Sequence, residues 1–395
     1  MVNESMLALG TKRSCIRELF EYGLKQAALV GRENVFDYSI GNPSIPAPPE
    51  VNETFVDVIQ HTDSLAVHGY TPAPGLPDAR AAIAAELSER YGAAIRGANI
   101  FFTCGAAPAL IAVIRALNLG GSEFVAIAPF FPEYRPFAEA NGARLVVVPA
   151  DVPDFQINWE ALAARLNEKT QAVIVNTPNN PSGVIYTRET LERLAALLTA
   201  RSAEVGHPIF LIADEPYREL AYDGAEVPFI PSIYPNTIVC YSYSKSLSLP
   251  GERIGYICVP DWVEDSATVF AAIAGGARAS GHVCAPALQQ RVVALCAKSR
   301  PDLAAYDENR TLLYKELSAF GYECVKPNGA FYMFVKAPGG DSQAFSEKAK
   351  EKNLLIVPGD DFGVPEYFRI CTCVSKDMIL RSLPAFKALI GEFGA

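Results

Sequence analysis

Residues 170–217 read TQAVIVNTPNNPSGVIYTRETLERLAALLTARSAEVGHPIFLIADEPY. Two short apolar runs, Ala172–Val175 and Ile209–Ala213, frame a loop held by two prolines and a glycine and then an amphipathic segment, Thr187–Ala200. A helix-length periodic segment between two apolar runs is the crossover that a pair of parallel strands requires. The same texture extends in both directions. Upstream lie Ile100–Thr103, Phe124–Ala128 and Leu145–Val148; downstream lie Ile238–Tyr241 and Tyr256–Val259. Strand alternating with helix predicts an α/β fold, a mostly parallel sheet sandwiched by helices. The last run follows its predecessor too closely for a helical crossover, so one antiparallel strand is expected.

After Pro286 the pattern changes. A long helical region, Ala287–Phe320, leads into Tyr322–Val325 and Phe331–Val335, which read as a meander. A helix, two further strand candidates (Leu354–Val357 and Phe368–Thr372) and a C-terminal helix follow. This predicts a smaller α+β domain. The proline-rich IGNPSIPAPPE (40–50) is a natural hinge, so the N-terminal piece Cys15–Ile40 is expected to pack with the C-terminal part. The domain expectation is a large domain over 49–283 and a small one assembled from 1–48 and 284–395.

Length and composition agree. A chain of 395 residues suits two domains, and half hydrophobic with a fifth charged is the balance of a soluble globular enzyme. A net charge of -10 provides no basic field for nucleic acid or anionic lipid. The N-terminus lacks the basic and long apolar regions of a signal peptide, and no apolar run approaches a membrane span. Nine cysteines without paired CxxC spacing, Cys371 and Cys373 among them, read as free thiols in a reducing cytosol, with no metal site.

Five loops carry residue types suited to one ligand. Tyr241–Tyr256, YSYSKSLSLPGERIGY, places Lys245 after a buried strand, bracketed by hydroxyls, with Arg253 behind a Pro-Gly turn. A lysine reaching into a crevice loses solvation, which lowers its pKa and frees the amine to attack a carbonyl. Ser242 and Arg253 suit a phosphate. Asp214 ends the run Ile209–Ala213 and can hold a pyridine nitrogen protonated, with Tyr217 three residues on. Asn180, in the loop 176–183, can bond a ring oxygen or a carboxylate. Thr103–Leu110, TCGAAPAL, offers the N–H groups of Ala106 and Ala107 at a helix start, and Phe131 in PFFPEY (129–134) can stack on a ring. Each string alone has a plainer reading: a serine-rich turn, an N-cap, a tight loop, helix packing, a core aromatic. Together they supply what one phosphorylated pyridine ring needs.

From SIGNPSIP (39–46) to FRICT (368–372) the chain also resembles the class I/II aminotransferases of PLP fold type I, and the SxxK…PGxRxGY string is highly specific for them. Its early part is most similar to bacterial sequences called simply PLP-dependent aminotransferases. The resemblance implies pyridoxal 5′-phosphate as cofactor and a ping-pong, Schiff-base transfer of an amino group from an L-amino acid to a 2-oxo acid. A C–S β-lyase, a cyclopropane-forming synthase and, more distantly, a non-catalytic PLP-fold binding protein share the fold. By the same resemblance Lys245 is the Schiff-base lysine and proton shuttle. Asp214 pairs with the pyridine nitrogen, Tyr217 and Asn180 with the phenolic oxygen, and Phe131 with the ring face. Ala106, Ala107, Ser242 and Arg253 hold the phosphate, joined by Tyr70 from the partner subunit of a homodimer. Arg369 grips the substrate α-carboxylate beside Gly41. Arg278, in GGARASGHVCAP (275–286), stands where relatives that use dicarboxylic substrates place a second basic residue from the partner; a solvated helix terminus explains it equally. The phosphate loop departs from many relatives in lacking a hydroxyl at Gly105-Ala106-Ala107. His282 reads as structural.

Overall fold

A computed structural model describes residues 1–11 and 15–394. Among these residues the strands, in chain order, are β1 (Phe36–Asp37), β2 (Ile100–Thr103), β3 (Glu123–Ile127), β4 (Arg144–Val148), β5 (Thr170–Asn176), β6 (Phe210–Asp214), β7 (Thr237–Ser242), β8 (Gly255–Cys258), β9 (Tyr332–Lys336), β10 (Leu354–Leu355), β11 (Val357–Pro358) and β12 (Tyr367–Cys371). Seven of them form one sheet in the order β2-β8-β7-β6-β5-β3-β4. Its pairs are parallel except at β8, which runs antiparallel to both β7 and β2. The expected antiparallel strand is therefore β8, joined to β7 without a crossover helix.

Every residue of β5 is buried. Successive side chains along a strand point to opposite faces. Val173 and Val175 accordingly join one core with Leu211, Ala213 and Val239, while Ala172 and Ile174 join another with Phe210, Ile212 and Ile238. Burying each of these Val, Leu, Ile and Phe side chains contributes about 1.5–3 kcal/mol. The two cores flank the sheet, and that explains why these strands read as unbroken apolar runs. Helix Arg188–Val205 closes the first face through Leu191, Leu194 and Leu198. It starts where Thr187 accepts from the Thr190 N–H, and it stops at Gly206 in the left-handed region (φ 79°). Helices Ala106–Leu117 and Ser266–Ala279 cover the other face.

Near the C-terminus, β9, β11 and β12 form an antiparallel sheet, and β1 pairs in parallel with β10. Tyr38 lies in one core with Leu313, Phe345, Phe368 and Phe386, and its hydroxyl meets Ser382 Oγ at 2.6 Å. β1 and Tyr38 thus pack against the C-terminal part, whereas Leu19 joins the core that also holds Phe101 and Phe124.

Three expectations need correction. The region 287–320 is two helices, Ala287–Leu295 and Leu303–Ala319, because Pro301 interrupts it and Asp302 caps a new start. Residues 322–325 do not form a strand; Cys324 makes only an isolated bridge to Val335. Leu354–Val357 is split between β10 and β11, which belong to different sheets. All nine cysteines are free; five are buried and the other four half-buried. Among the described residues no helix is long and apolar enough to cross a membrane.

Candidate active site

The parallel strands β5, β6 and β7 end side by side at Asn176, Asp214 and Ser242, with Asn176 in register with Asp214. The crevice outside such strand ends is where open α/β sheets bind ligands. Here it holds a cavity of about 300 Å³, the low end of small-ligand sites. Lys245, Asp214, Tyr217, Asn180, Phe131, Ser242 and Arg253 all line it, with Ala106 and Ala107 at one end and Gly41 and Arg369 at the other.

Ser242 caps the short helix Tyr243–Ser246 by accepting from the Ser244 N–H, which fixes Lys245 one residue beyond. The Lys245 ammonium donates to the Gly41 carbonyl at 2.5 Å and lies over the Phe331 ring, 5.3 Å from its centre. Burial pulls its pKa below the ordinary lysine value, and the charges of Arg369 and Arg253 add to the effect.

Asp214 is wholly enclosed. Tyr134 donates to its Oδ2 at 2.5 Å, whereas Oδ1 is buried with no hydrogen-bond partner. Burial, opposed by the Tyr134 bond and reinforced by Glu215, pushes the carboxyl up to about 7. An acceptor in that condition calls for a donor, and a protonated ring nitrogen is one. Asn176 braces the corner: its Nδ2 donates to the Asp214 carbonyl at 2.8 Å, and its Oδ1 accepts from the Asn180 N–H at 2.7 Å. Tyr217 Oη meets Tyr332 Oη at 3.0 Å.

At the anion end, Gly105 caps helix Ala106–Leu117 at φ 94°, a conformation that favours glycine. A Cβ there would stand 2.7 Å from Arg253 Nη2, so the absent side chain lets the guanidinium approach the helix start. Ser244 also lines the cavity, its Oγ 2.8 Å from that of Ser242, and supplies a hydroxyl that the loop 105–107 lacks.

At the opposite end, Arg369 of β12 is buried between the rings of Tyr332 (4.7 Å) and Phe362 (5.2 Å). It donates to Asn180 Oδ1 at 3.1 Å and to the Ser39 carbonyl, while its Nε has no partner. A flat guanidinium sandwiched in this way can present only its edge to a carboxylate.

Tyr70 and Arg278 do not reach this cavity. Tyr70 is 93% exposed, and Arg278 stands exposed at the end of helix Ser266–Ala279. His282 lies outside the cavity lining, with Nε2 3.2 Å from the Phe102 carbonyl and Nδ1 3.7 Å from Cys104 Sγ. Burial lowers its pKa, and it serves as a loop brace. The sequence reading gave no role to Tyr134 or Tyr332. Tyr134 follows Phe131 by three residues in the quoted string, but nothing local shows that it faces an aspartate 80 residues away.

The family described as aminotransferase class I and II matches residues 33–386. The chain is 29% identical over 394 residues to aromatic-amino-acid aminotransferase 2 of Thermococcus litoralis, covering 95% of each chain. It is 30% identical over 390 residues to an aspartate aminotransferase of Pyrococcus horikoshii, covering 96% of each. Among solved structures, an amino transferase from Eubacterium rectale superposes with a TM-score of 0.98 at 55% identity over the full length of both chains. An aspartate aminotransferase from Thermotoga maritima gives 0.85 at 27% identity, over 96% of this chain and 98% of that one.

Proposed function

The chain belongs to the aminotransferase class I and II family and is an aminotransferase, and we propose that the converging residues divide its reaction among them as follows. Bound pyridoxal 5′-phosphate, on which this family depends, supplies a carbonyl that condenses with amines and a ring that accepts electron density from the substrate Cα. Asp214 Oδ1 would accept a hydrogen bond from the ring nitrogen and keep it protonated, and Tyr217 would donate its phenol to the ring oxygen. Ala106, Ala107, Ser242, Ser244 and Arg253 would hold the phosphate, and Phe131 would cover the ring. Lys245 Nζ, whose pKa burial lowers, would anchor the cofactor and move the proton at Cα. Arg369 fixes the α-carboxylate and thereby the direction of the Cα–H bond.

The observation that carries this reading is the unpartnered, buried Asp214 Oδ1 in the same cavity as Lys245. Lyase and synthase chemistry on this fold is not favoured by relatives that are themselves aminotransferases. The test is a half-reaction screen in which the protein, loaded with pyridoxal 5′-phosphate, is mixed with single amino acids. Loss of the cofactor's visible absorbance with one equivalent of 2-oxo acid and no ammonia supports transfer. Pyruvate released together with ammonia overturns it.

We read the active unit as a homodimer. Tyr70 and Arg278 are exposed in the single chain, and exposed Leu65, Val283 and Leu295 leave apolar surface uncovered. In this reading Tyr70 reaches the partner's phosphate and Arg278 faces the side chain of a dicarboxylic substrate there. A division into a larger domain over 49–283 and a smaller one from 1–48 and 284–395 is supported by the core that Tyr38 shares with Leu313 and Phe386; helix Ala287–Leu295 packs on the larger side, through Val292 and Val293. Nine free cysteines suit the cytosol.

A further inference from the structure

We propose that Tyr332 is a positioning residue that ties the two ends of this site together, its hydroxyl ordering the proton of Tyr217 and its ring face holding Arg369. The proposal rests on the reading of Tyr217 and Arg369 just given. Tyr332 opens β9, is 3% exposed and lines the cavity.

Two buried phenols 3.0 Å apart share one hydrogen between their oxygens, so one donates and the other accepts. If Tyr217 is to donate to the cofactor's ring oxygen, its proton is committed there. Tyr332 must then be the donor to Tyr217. A hydrogen bond received at its oxygen makes Tyr217 a stronger donor in turn, since hydrogen bonds in series polarise one another. The electrostatics point the same way: burial raises the Tyr217 pKa, and the bond from Tyr332 opposes that rise.

The Tyr332 ring forms one wall of the Arg369 sandwich, 4.7 Å from the guanidinium carbon. Its hydroxyl also fills the space beside Gly41, where a Cβ would stand 1.9 Å from Tyr332 Oη. Gly41 is the residue whose carbonyl receives Lys245. Tyr217 and Arg369 therefore both meet this one side chain, and Lys245 bonds the glycine packed against it. A phenylalanine would keep the ring but lose the hydroxyl, whose hydrogen-bond partner is Tyr217.

The test uses the cofactor-loaded enzyme and reads the pH midpoint of the bound cofactor's visible absorbance, together with kcat and KM for the amino-acid half-reaction. Tyr332→Phe keeps the ring and removes the donor. A weaker bond from Tyr217 leaves more negative charge on the ring oxygen, which holds the neighbouring nitrogen's proton more tightly. The midpoint should rise by about half a unit to one unit, with KM within about twofold of wild type. Tyr217→Phe with Tyr332→Phe should show the midpoint of Tyr217→Phe alone, because Tyr332 acts through Tyr217. Tyr332→Leu, which also removes the ring, should raise KM about tenfold. An unchanged midpoint in Tyr332→Phe, or a shift that adds in full to that of Tyr217→Phe, overturns the proposal while the cofactor reading stands. A wild-type protein that acquires no such absorbance overturns the cofactor reading and the proposal with it.

Discussion

Asp214→Asn should stabilise the cofactor-free protein while removing most of its response to the cofactor. The carboxyl is wholly buried, and its pKa stands at about 7 against an ordinary 3.8. A rise of about three units corresponds to roughly 4 kcal/mol set against the charged form, at about 1.4 kcal/mol per unit. The folded state holds this proton more tightly than the unfolded chain does. Stability therefore falls as pH rises from about 4 to about 7 and is level above that window. Asparagine carries no charge, and its carbonyl can still accept from Tyr134. Its Nδ2 would take the place of the unpartnered Oδ1, and an unmet donor there costs about 1–3 kcal/mol. The expected balance above pH 8 is about 1–3 kcal/mol in favour of the variant. The measurement is urea unfolding of both cofactor-free proteins at matched concentration, at intervals from pH 5 to pH 9. The gap should open below pH 7 and then hold, and adding pyridoxal 5′-phosphate should raise the midpoint of wild type far more than that of the variant. A gap that is the same at pH 5 and pH 8 refutes the reasoning, because Asp214 would then carry no uncompensated charge.

Four further outcomes are expected. Lys245→Ala should abolish transamination in a protein that stays folded, and borohydride should no longer fix the cofactor to the chain; labelling of another lysine counts against the assignment. Arg369→Lys loses the flat fork and its stacking between Tyr332 and Phe362, so KM for the amino acid should rise about 10- to 100-fold, readable by stopped-flow half-reactions. A mixed dimer of Tyr70→Phe and Lys245→Ala chains should contain one intact site and recover activity; an active monomer in sedimentation contradicts the sharing of sites. Arg278→Leu should lower kcat/KM for glutamate and aspartate by about 100-fold with alanine little changed, and a uniform loss removes Arg278 from the substrate pocket.

How far the sequence reached depended on whether the signal was local. The sheet was legible because β5 and β6 are buried on both faces, so that Ala172–Val175 and Ile209–Ala213 carry no polar residue to obscure them. Two strand ends were legible too, since Asp214 closes the apolar run of β6 with a charge and Lys245 follows β7 in a string of hydroxyls. The break at 296–302 was present in Pro301 and Asp302 but was overridden by the apolar periodicity on either side. Tyr134 and Tyr332 were beyond reach for a different reason. Each acts across the fold, on Asp214 80 residues away and on Tyr217 115 residues away, and the strings around them look like ordinary core aromatics. Tyr70 and Arg278 stand exposed and away from the cavity of the single chain, and the roles proposed for them rest on a second copy, which no single fold displays.

The placement of Arg369 sets an order on the molecule's birth. Its guanidinium donates to the carbonyl of Ser39, 330 residues earlier, and β1 cannot pair until β10 exists. A ribosome adding about 5–20 residues per second takes on the order of 15 to 65 seconds to cover that interval. During that time the loops at 105–107, 214–217 and 242–253 have already emerged, and the sheet that aligns them can form. A growing chain can therefore assemble the loops of the proposed cofactor seat well before Arg369, the proposed grip on the amino acid, has been made.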